Sequence, residues 1–189
     1  MFRRIIVSVG LTALLFGLTI PQASAYTLEG PRWPGQPTPP LCCASVTYRN
    51  WASDTSVWTA GGDGATAWNS SPAPVLFSTA VIADINYYEA NDSSVSWDGL
   101  TTYYYYTGGD GKKYFSSPAS VQVNFYYTKN YVRAKTQSVS AHEFGHALGL
   151  GHMSTCTLMN GYTSIRYSSS CGYIDTPQTD DVNGIKVLY

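Results

Sequence analysis

Three histidines and one glutamate late in the chain have the spacing of a metal site. Residues 142–152 read HEFGHALGLGH and contain all three histidines of the 189-residue sequence. On a helix, His142 and His146 lie about 40° apart and one turn along the same face, so both imidazoles can bind one ion. A continuing helix would carry His152 about 240° round from His146 and about 9 Å along the axis. The helix must therefore end between these two histidines.

Gly149 stands where the helix has to end. Glycine adopts the left-handed conformation that ends many helices, so we predict a helix-breaking turn at Gly149. Three neutral imidazoles leave the fourth position of a tetrahedral zinc open for water, which is typical of a catalytic site. Glu143 could then act as the base that takes a proton from a zinc-bound water and delivers it to the leaving amine. The alternative is a capping box of Ser140 and Glu143, which would leave the helix only about two turns long.

The complete motif resembles the HExxHxxGxxH signature of the metzincin metallopeptidases. The run Thr157-Leu158-Met159-Asn160 resembles the Met-turn of that family, with Met159 in the place of its methionine. Within the metzincins the chain is most similar to the matrixins, because residues 180–189 resemble their closing helix and Trp68 falls where their first helix often carries tryptophan. The resemblance implies an α+β fold, a twisted mixed β-sheet with about three helices. The zinc-binding active-site helix would be followed by the Met-turn and a C-terminal helix.

The resemblance also sets expectations about substrate, latency and further metals. Substrate would lie extended along an edge strand, which the sequence does not identify. No histidine remains for the structural zinc of vertebrate matrixins, so we expect one zinc per chain. Residues 31–34 read Pro-Arg-Trp-Pro and lack the cysteine of the family's latency motif. Tyr162 comes one residue too late to match the tyrosine of astacins and serralysins, and calcium, a further candidate cofactor, has no assignable ligands.

Hydrophobic patterns place further elements around the motif. Apolar residues at helical spacing predict helices at 54–68, 136–148 and 179–188. Runs of β-branched and aromatic residues predict strands at 45–49, 75–77, 81–88, 101–106 and 121–127.

The amino-terminal part divides into two segments before the catalytic domain. Residues 1–25 carry an arginine pair, an apolar run and a final Ala-Ser-Ala, which together are typical of a secretory signal peptide. A twin-arginine export route is the alternative, but no serine precedes the arginine pair. Residues 26–44 form a Pro-rich segment that we predict to be extended and poorly packed. Residues 45–189 are then the metallopeptidase catalytic domain.

Four cysteines in an exported chain predict two disulfides. These are Cys42, Cys43, Cys156 and Cys171. Because a bond between the adjacent Cys42 and Cys43 would be strained, we favour pairing each of them with Cys156 or Cys171. Metal binding by the adjacent pair is the rival interpretation, although neighbouring side chains rarely converge on one tetrahedral ion.

The charge and composition of the chain limit the classes of molecule that we expect it to bind. A formal net charge of −1 with 12% charged residues gives no basic stripe for nucleic acid and no polybasic patch for anionic lipid. We therefore expect a secreted monomer that acts on protein or peptide, with no nucleic acid and no membrane as partner after signal cleavage. The leading hypothesis is a zinc-dependent endopeptidase. The alternatives are a zinc hydrolase acting on cell-wall peptides and a catalytically idle binding module, against which the intact Glu143 argues.

Overall fold

The fold is built on a five-stranded mixed sheet. A computed structural model of the chain describes residues 26–34 and 43–189. The sheet has the order β2-β1-β3-β5-β4, in which neighbouring strands are parallel except for the antiparallel pair of β4 and β5. The strands are β1 (Ala44–Asn50), β2 (Val75–Thr79), β3 (Ile85–Ala90), β4 (Gly99–Thr107) and β5 (Lys113–Asn124). The predicted signal peptide lies outside the described residues.

Three long helices and shorter turns of helix complete the described chain. The helices are α1 (Thr55–Asn69), α2 (Phe125–Thr128), α3 (Arg133–Ala147), α4 (Thr163–Arg166) and α5 (Thr179–Leu188), with a 3-10 turn at Ser169–Cys171. The α+β class, the mixed sheet and the three long helices are confirmed. The side chain of Asp54 caps α1 by accepting hydrogen bonds from the backbone N–H groups of Ser56 and Val57 at 2.8 and 3.2 Å.

Two predicted strands are displaced. The strand predicted at 81–88 begins only at Ile85, because Val81 and Ile82 are 77% and 95% exposed and form no ladder. The strand predicted at 121–127 is β5, which starts much earlier because its turn pairs Lys113 with Thr107 of β4. It ends at Asn124, whose side chain caps the short α2. In both cases, therefore, the bounds of the apolar run differ from the bounds of the strand.

The core joins α1 and α3 to each other and to the sheet. The indole N–H of Trp68 in α1 donates to the carbonyl of Ala141 in α3 at 2.8 Å, inside the protein. The ring of Phe144 in α3 packs on Phe77 and Tyr87 of the sheet, with centroids 4.9 and 5.7 Å away. Because α3 carries the metal motif, these contacts fix the position of the candidate site against the sheet.

Residues 26–34 are packed, so the prediction of a poorly packed segment is wrong for this part. Trp33 is only 1% exposed, and its indole N–H donates to the carbonyl of Ala147 at 2.9 Å. Leu28 forms an antiparallel bridge with Leu150, and Arg32 forms a parallel bridge with Tyr114. Proline content indicates an extended backbone, but one large buried aromatic can still hold such a backbone in the core.

The predicted disulfide connectivity is also wrong. Cys156 pairs with Cys171, across a sequence separation of 15 residues. Cys43 is disulfide-bonded as well, and Cys42 lies outside the described residues. The turns between Cys156 and Cys171 bring their Cα atoms to 5.2 Å, and this local return of the chain has no clear signal in the sequence.

We predict that Trp33→Ala destabilises the protein by about 3–5 kcal/mol, because it leaves a cavity in the core and removes a buried hydrogen bond. Urea unfolding of the purified protein gives the free energy of unfolding. Trp58→Ala is the matched control, since Trp58 is 56% exposed and its loss should cost about 0.5 kcal/mol or less. Equal effects of the two substitutions would contradict the core position of Trp33.

Candidate functional site

The helix that carries the motif ends at Ala147, and the chain reverses at Gly149. Gly149 has φ +99°, and a β-carbon there would lie 2.2 Å from the carbonyl oxygen of Pro31. The N–H groups of Gly149 and Leu150 donate to the carbonyls of His146 and Gly145 at 2.9 and 3.0 Å. This pair of bonds is the Schellman motif, which satisfies the last carbonyls of the helix and reverses the chain.

The reversal brings the three predicted ligands together. Nε2 of His142 lies 3.1 Å from Nε2 of His146 and 3.2 Å from Nε2 of His152. Two nitrogens on a tetrahedral zinc are about 3.3 Å apart when each bond is about 2.0–2.1 Å. These three histidines form the only group in the described chain that could hold a metal through three or more such side chains. The spacing of the donor atoms therefore fits one zinc ion.

Hydrogen bonds on the far side of two rings set their tautomer. Nδ1 of His142 lies 2.8 Å from the carbonyl oxygen of Leu158, and Nδ1 of His146 lies 2.7 Å from that of Leu150. A carbonyl only accepts, so both Nδ1 atoms carry the proton and both Nε2 lone pairs face the shared centre. Burial also lowers the pKa of His142 well below its usual value. Lone pairs pointed at one another repel unless a cation lies between them, so the donor set suits a metal ion.

Glu143 lies beside this centre with its carboxylate buried. One oxygen, Oε1, is 4.0 Å from Nε2 of His142, and Oε2 accepts a hydrogen bond from the hydroxyl of Thr101 at 2.8 Å. Burial is the main effect on its pKa and raises it. Ser140 lies in the interior of α3, which begins at Arg133, so the capping-box alternative is excluded. The raised pKa makes Glu143 a stronger proton acceptor than an exposed carboxylate.

The segment predicted to be the Met-turn packs beneath α3. Met159 is fully buried, and its sulfur would be 2.3 Å from a β-carbon at Gly145, so the glycine provides its space. The carboxylate of Asp181 in α5 accepts the backbone N–H groups of Leu158 and Met159 at 3.0 and 3.1 Å. Since the carbonyl of Leu158 bonds His142, α5 supports a candidate metal ligand through this turn.

The helix predicted at 179–188 has Asp181 in its first turn, but the sequence did not predict that its carboxylate would bond the backbone of Leu158 and Met159. Its Oδ2 also accepts the N–H of Gln178 at 2.7 Å, which completes a capping box at α5. An acidic residue at a helix amino terminus suggests only a favourable dipole interaction. Its burial, with 0% of its surface exposed, depends on tertiary packing.

Glu29 is a second carboxylate that sequence reasoning missed. Its Oε1 lies 3.5 Å from Nδ1 of His146, and its Oε2 accepts a hydrogen bond from the hydroxyl of Tyr103. Burial would raise the pKa of Glu29, but the contacts with His146 and Tyr103 outweigh it and lower the pKa. The backbone N–H of Glu29 donates to the carbonyl of Gly149 at 2.9 Å. Only the packing of residues 26–34 against the end of α3 reveals this neighbour.

Two of the cavities near the candidate site border Glu143. One of about 460 Å³ is bordered by Glu143 and His142 and also by Arg166 of α4, and a smaller one of about 220 Å³ is bordered by Glu29 and His146. Gly99 and Leu100 of the edge strand β4 border both. Tyr162 also borders the larger cavity but is 69% exposed. Glu143 and the candidate metal ligands therefore lie beside two cavities that both border the edge strand β4.

We expect one zinc per chain in the purified protein and a large loss of zinc affinity in His152→Ala. The loss should exceed the ~10- to 100-fold typical of removing an outer hydrogen-bond partner of a ligand, because a direct ligand is removed. Competition with a chromophoric chelator measures the affinity. Since His152 is exposed, the metal-free forms of variant and wild type should melt alike. Unchanged zinc affinity would remove His152 from the ligand set.

Asp181→Asn should lower the free energy of unfolding by about 1–3 kcal/mol, because its amide N–H₂ group would face a backbone N–H and leave a buried donor unpaired. The neighbouring substitution Asp180→Asn is the control, since it removes the same charge from the same turn of α5 and matches the helix-dipole interaction. Chemical denaturation of the two variants at one pH compares them. Equal losses would show that charge at the helix start, and not support of the Met-turn, is what matters.

One of three comparisons with known proteins identifies the family of this chain. A comparison with curated protein sequences gives no match. A solved structure of myroilysin shares 17% sequence identity and a TM-score of 0.37, over 58% of this chain and 49% of that one, so the chain spans about half of its length. The sequence model of the matrixin family matches residues 51–189, which is well over half of the chain. The family carries zinc metallopeptidase activity, and the chain belongs to it: this protein is a matrixin.

Proposed function

We propose that this matrixin is a secreted zinc endopeptidase in which Glu143 is the general base. The observation that carries the proposal is the position of its buried carboxylate, 4.0 Å from Nε2 of His142 and tied to Thr101. A binding scaffold has no use for a buried carboxylate at this place, since burial of such a group costs free energy unless it is paired or functional.

We assign a separate role in hydrolysis to each side chain around Glu143. His142, His146 and His152 would hold zinc through Nε2. The chemistry that a bound zinc supplies is polarisation of the scissile carbonyl and a lower pKa for the attacking water. Glu143 takes the proton of that water and returns it to the leaving amine. Thr101 keeps one carboxylate oxygen in place, so the other is free to face the water.

The edge strand β4 supports an extended substrate. It is the last strand of the described sheet beside β5, so its outer N–H and C=O groups have no strand partner there. A peptide can add to such an edge through backbone hydrogen bonds, with alternate side chains entering pockets. Gly99 and Leu100 of this strand border both cavities. This arrangement favours a protein or peptide substrate that crosses the site with its backbone along β4.

Secretion is supported by the signal-like residues 1–25 and by the disulfide between Cys156 and Cys171, since disulfides persist in oxidising compartments. Among the described residues, no helix is long and apolar enough to cross a membrane. Peptides of the cell wall remain the alternative substrate class, and side-by-side digestion of casein and of purified cell wall separates the two.

Glu143→Gln should lower kcat/KM for peptide cleavage by about 10²- to 10⁴-fold, because the amide keeps the shape of the side chain but accepts no proton at neutral pH. Zinc content and melting temperature should change little. Hydrolysis of a quenched fluorescent peptide, measured beside zinc content, gives the comparison.

Glu89→Gln is the matched control, because Glu89 lies on β3 and borders none of the cavities described above. Its activity should stay within about twofold of wild type, as expected for a substitution away from the reacting groups. Full activity of Glu143→Gln would refute the general-base role. Zinc-loaded wild-type protein that hydrolyses neither casein nor cell-wall peptides would refute the endopeptidase proposal as a whole.

A further inference from the structure

A buried arginine borders the larger cavity beside the catalytic groups. Arg166 is the last residue of α4 and is 1% exposed. Its Nε donates to the hydroxyl of Ser138 at 3.1 Å, and one terminal nitrogen donates to the carbonyl of Asn160 at 2.9 Å. Both acceptors are uncharged. The guanidinium is therefore oriented by the protein but not neutralised by these bonds.

No carboxylate pairs with Arg166 in the part of the chain that the structure describes. The ion pair found there joins Arg133 to Asp63, and two further close contacts join Glu143 to the neutral His142 and Glu29 to His146. Burial lowers the pKa of Arg166, while Asp98 and Glu143 act at longer range to raise it. A guanidinium nonetheless stays charged in proteins. A buried charge without a counter-ion costs free energy, which is regained when an anion binds.

Two tyrosines that border the cavity already have partners, whereas the buried hydroxyl of Thr163 has none among the described residues. Tyr131 donates its hydroxyl to Asp98 at 3.3 Å, and Tyr127 donates its own to the carbonyl of Val95. Asp98 is partly exposed, so water can solvate its charge. Asp98, Glu143 and Arg166 are the acidic and strongly basic side chains that border the cavity. Arg166 is the basic one, is buried, and donates only to uncharged acceptors.

The cavity lies where it could receive the side chain of a substrate residue that flanks the scissile bond. Its border includes Glu143, His142 and His152, so it opens at the candidate catalytic centre. Its volume of about 460 Å³ is ample for one amino-acid side chain. When a peptide backbone lies along β4, a residue that flanks the scissile bond can direct its side chain into this space.

We propose that Arg166 makes this enzyme selective for substrates with a carboxylate side chain, Glu or Asp, at a residue flanking the scissile bond. The proposal rests on the endopeptidase function proposed above and names its substrate class. Arg166 binds the substrate carboxylate with N–H groups that have no partner in the described chain. Ser138 and Asn160 hold the guanidinium in place, so little side-chain entropy is lost on binding.

The test uses one cleaved parent peptide in which each residue flanking the scissile bond is replaced in turn by Glu, Asp, Gln, Lys or Leu. At one of the two positions, wild type should cleave the acidic peptides about 10- to 100-fold better than the Gln peptide in kcat/KM, as expected for a buried charged hydrogen bond. Arg166→Met should abolish this ratio, and Arg166→Lys should keep part of it. Arg133→Met, which removes an exposed arginine with a side chain 73% accessible, should leave the ratio unchanged.

A binding measurement separates recognition from catalysis and from folding. The Glu143→Gln variant should bind the uncleaved Glu peptide more tightly than the Gln peptide, and adding Arg166→Met should equalise them. Wild type that cleaves acidic and neutral peptides equally would overturn the role of Arg166 while leaving the endopeptidase function intact. A preference for Lys would assign the cavity to Asp98 instead. If Arg166→Met slowed every peptide by one factor, Arg166 would be a structural support of the Met-turn and not a specificity residue.

Discussion

The reversal of the chain at Gly149 is the constraint on which the site depends. Three imidazoles can share one ion only if the third arrives from outside the helix that carries the first two. The left-handed turn at Gly149 achieves this, and its Schellman bonds satisfy the helix end at the same time. The backbone of Pro31 fills the space where a side chain would be. The same turn therefore positions His152, ends the helix and packs against the amino-terminal segment at Pro31.

Partners that are distant in the sequence orient the candidate metal ligands. Asp181, near the end of the chain, holds the Met-turn whose carbonyl accepts from His142, while Glu29, near its beginning, lies against His146. Outer hydrogen bonds of this kind fix the tautomer and direction of a ligating imidazole. Both ends of the described chain thus converge on α3, and this explains why Trp33 belongs to the core.

The residues that we propose for catalysis and for substrate selection come from different elements that meet at one cavity. Glu143 comes from α3, which is fixed against the sheet by Trp68 and the aromatic cluster around Phe144. Arg166 comes from α4, inside the loop that the Cys156–Cys171 disulfide closes. If both proposals hold, a change in this loop alters substrate preference while α3 keeps Glu143 in place.

The sequence by itself determined the features that depend on local spacing. The helix with two histidines four residues apart, its end at Gly149 and the return of His152 follow from helix geometry and the properties of glycine, and the motif led to the family and fold class. The tertiary structure decided which distant groups complete the site. Burial of Trp33, the pairing of Cys156 with Cys171 and the approach of Glu29, Asp181 and Arg166 to the site have no local signature. Each depends on packing between segments far apart in the chain, where the free energy comes from contacts that no single stretch of sequence contains.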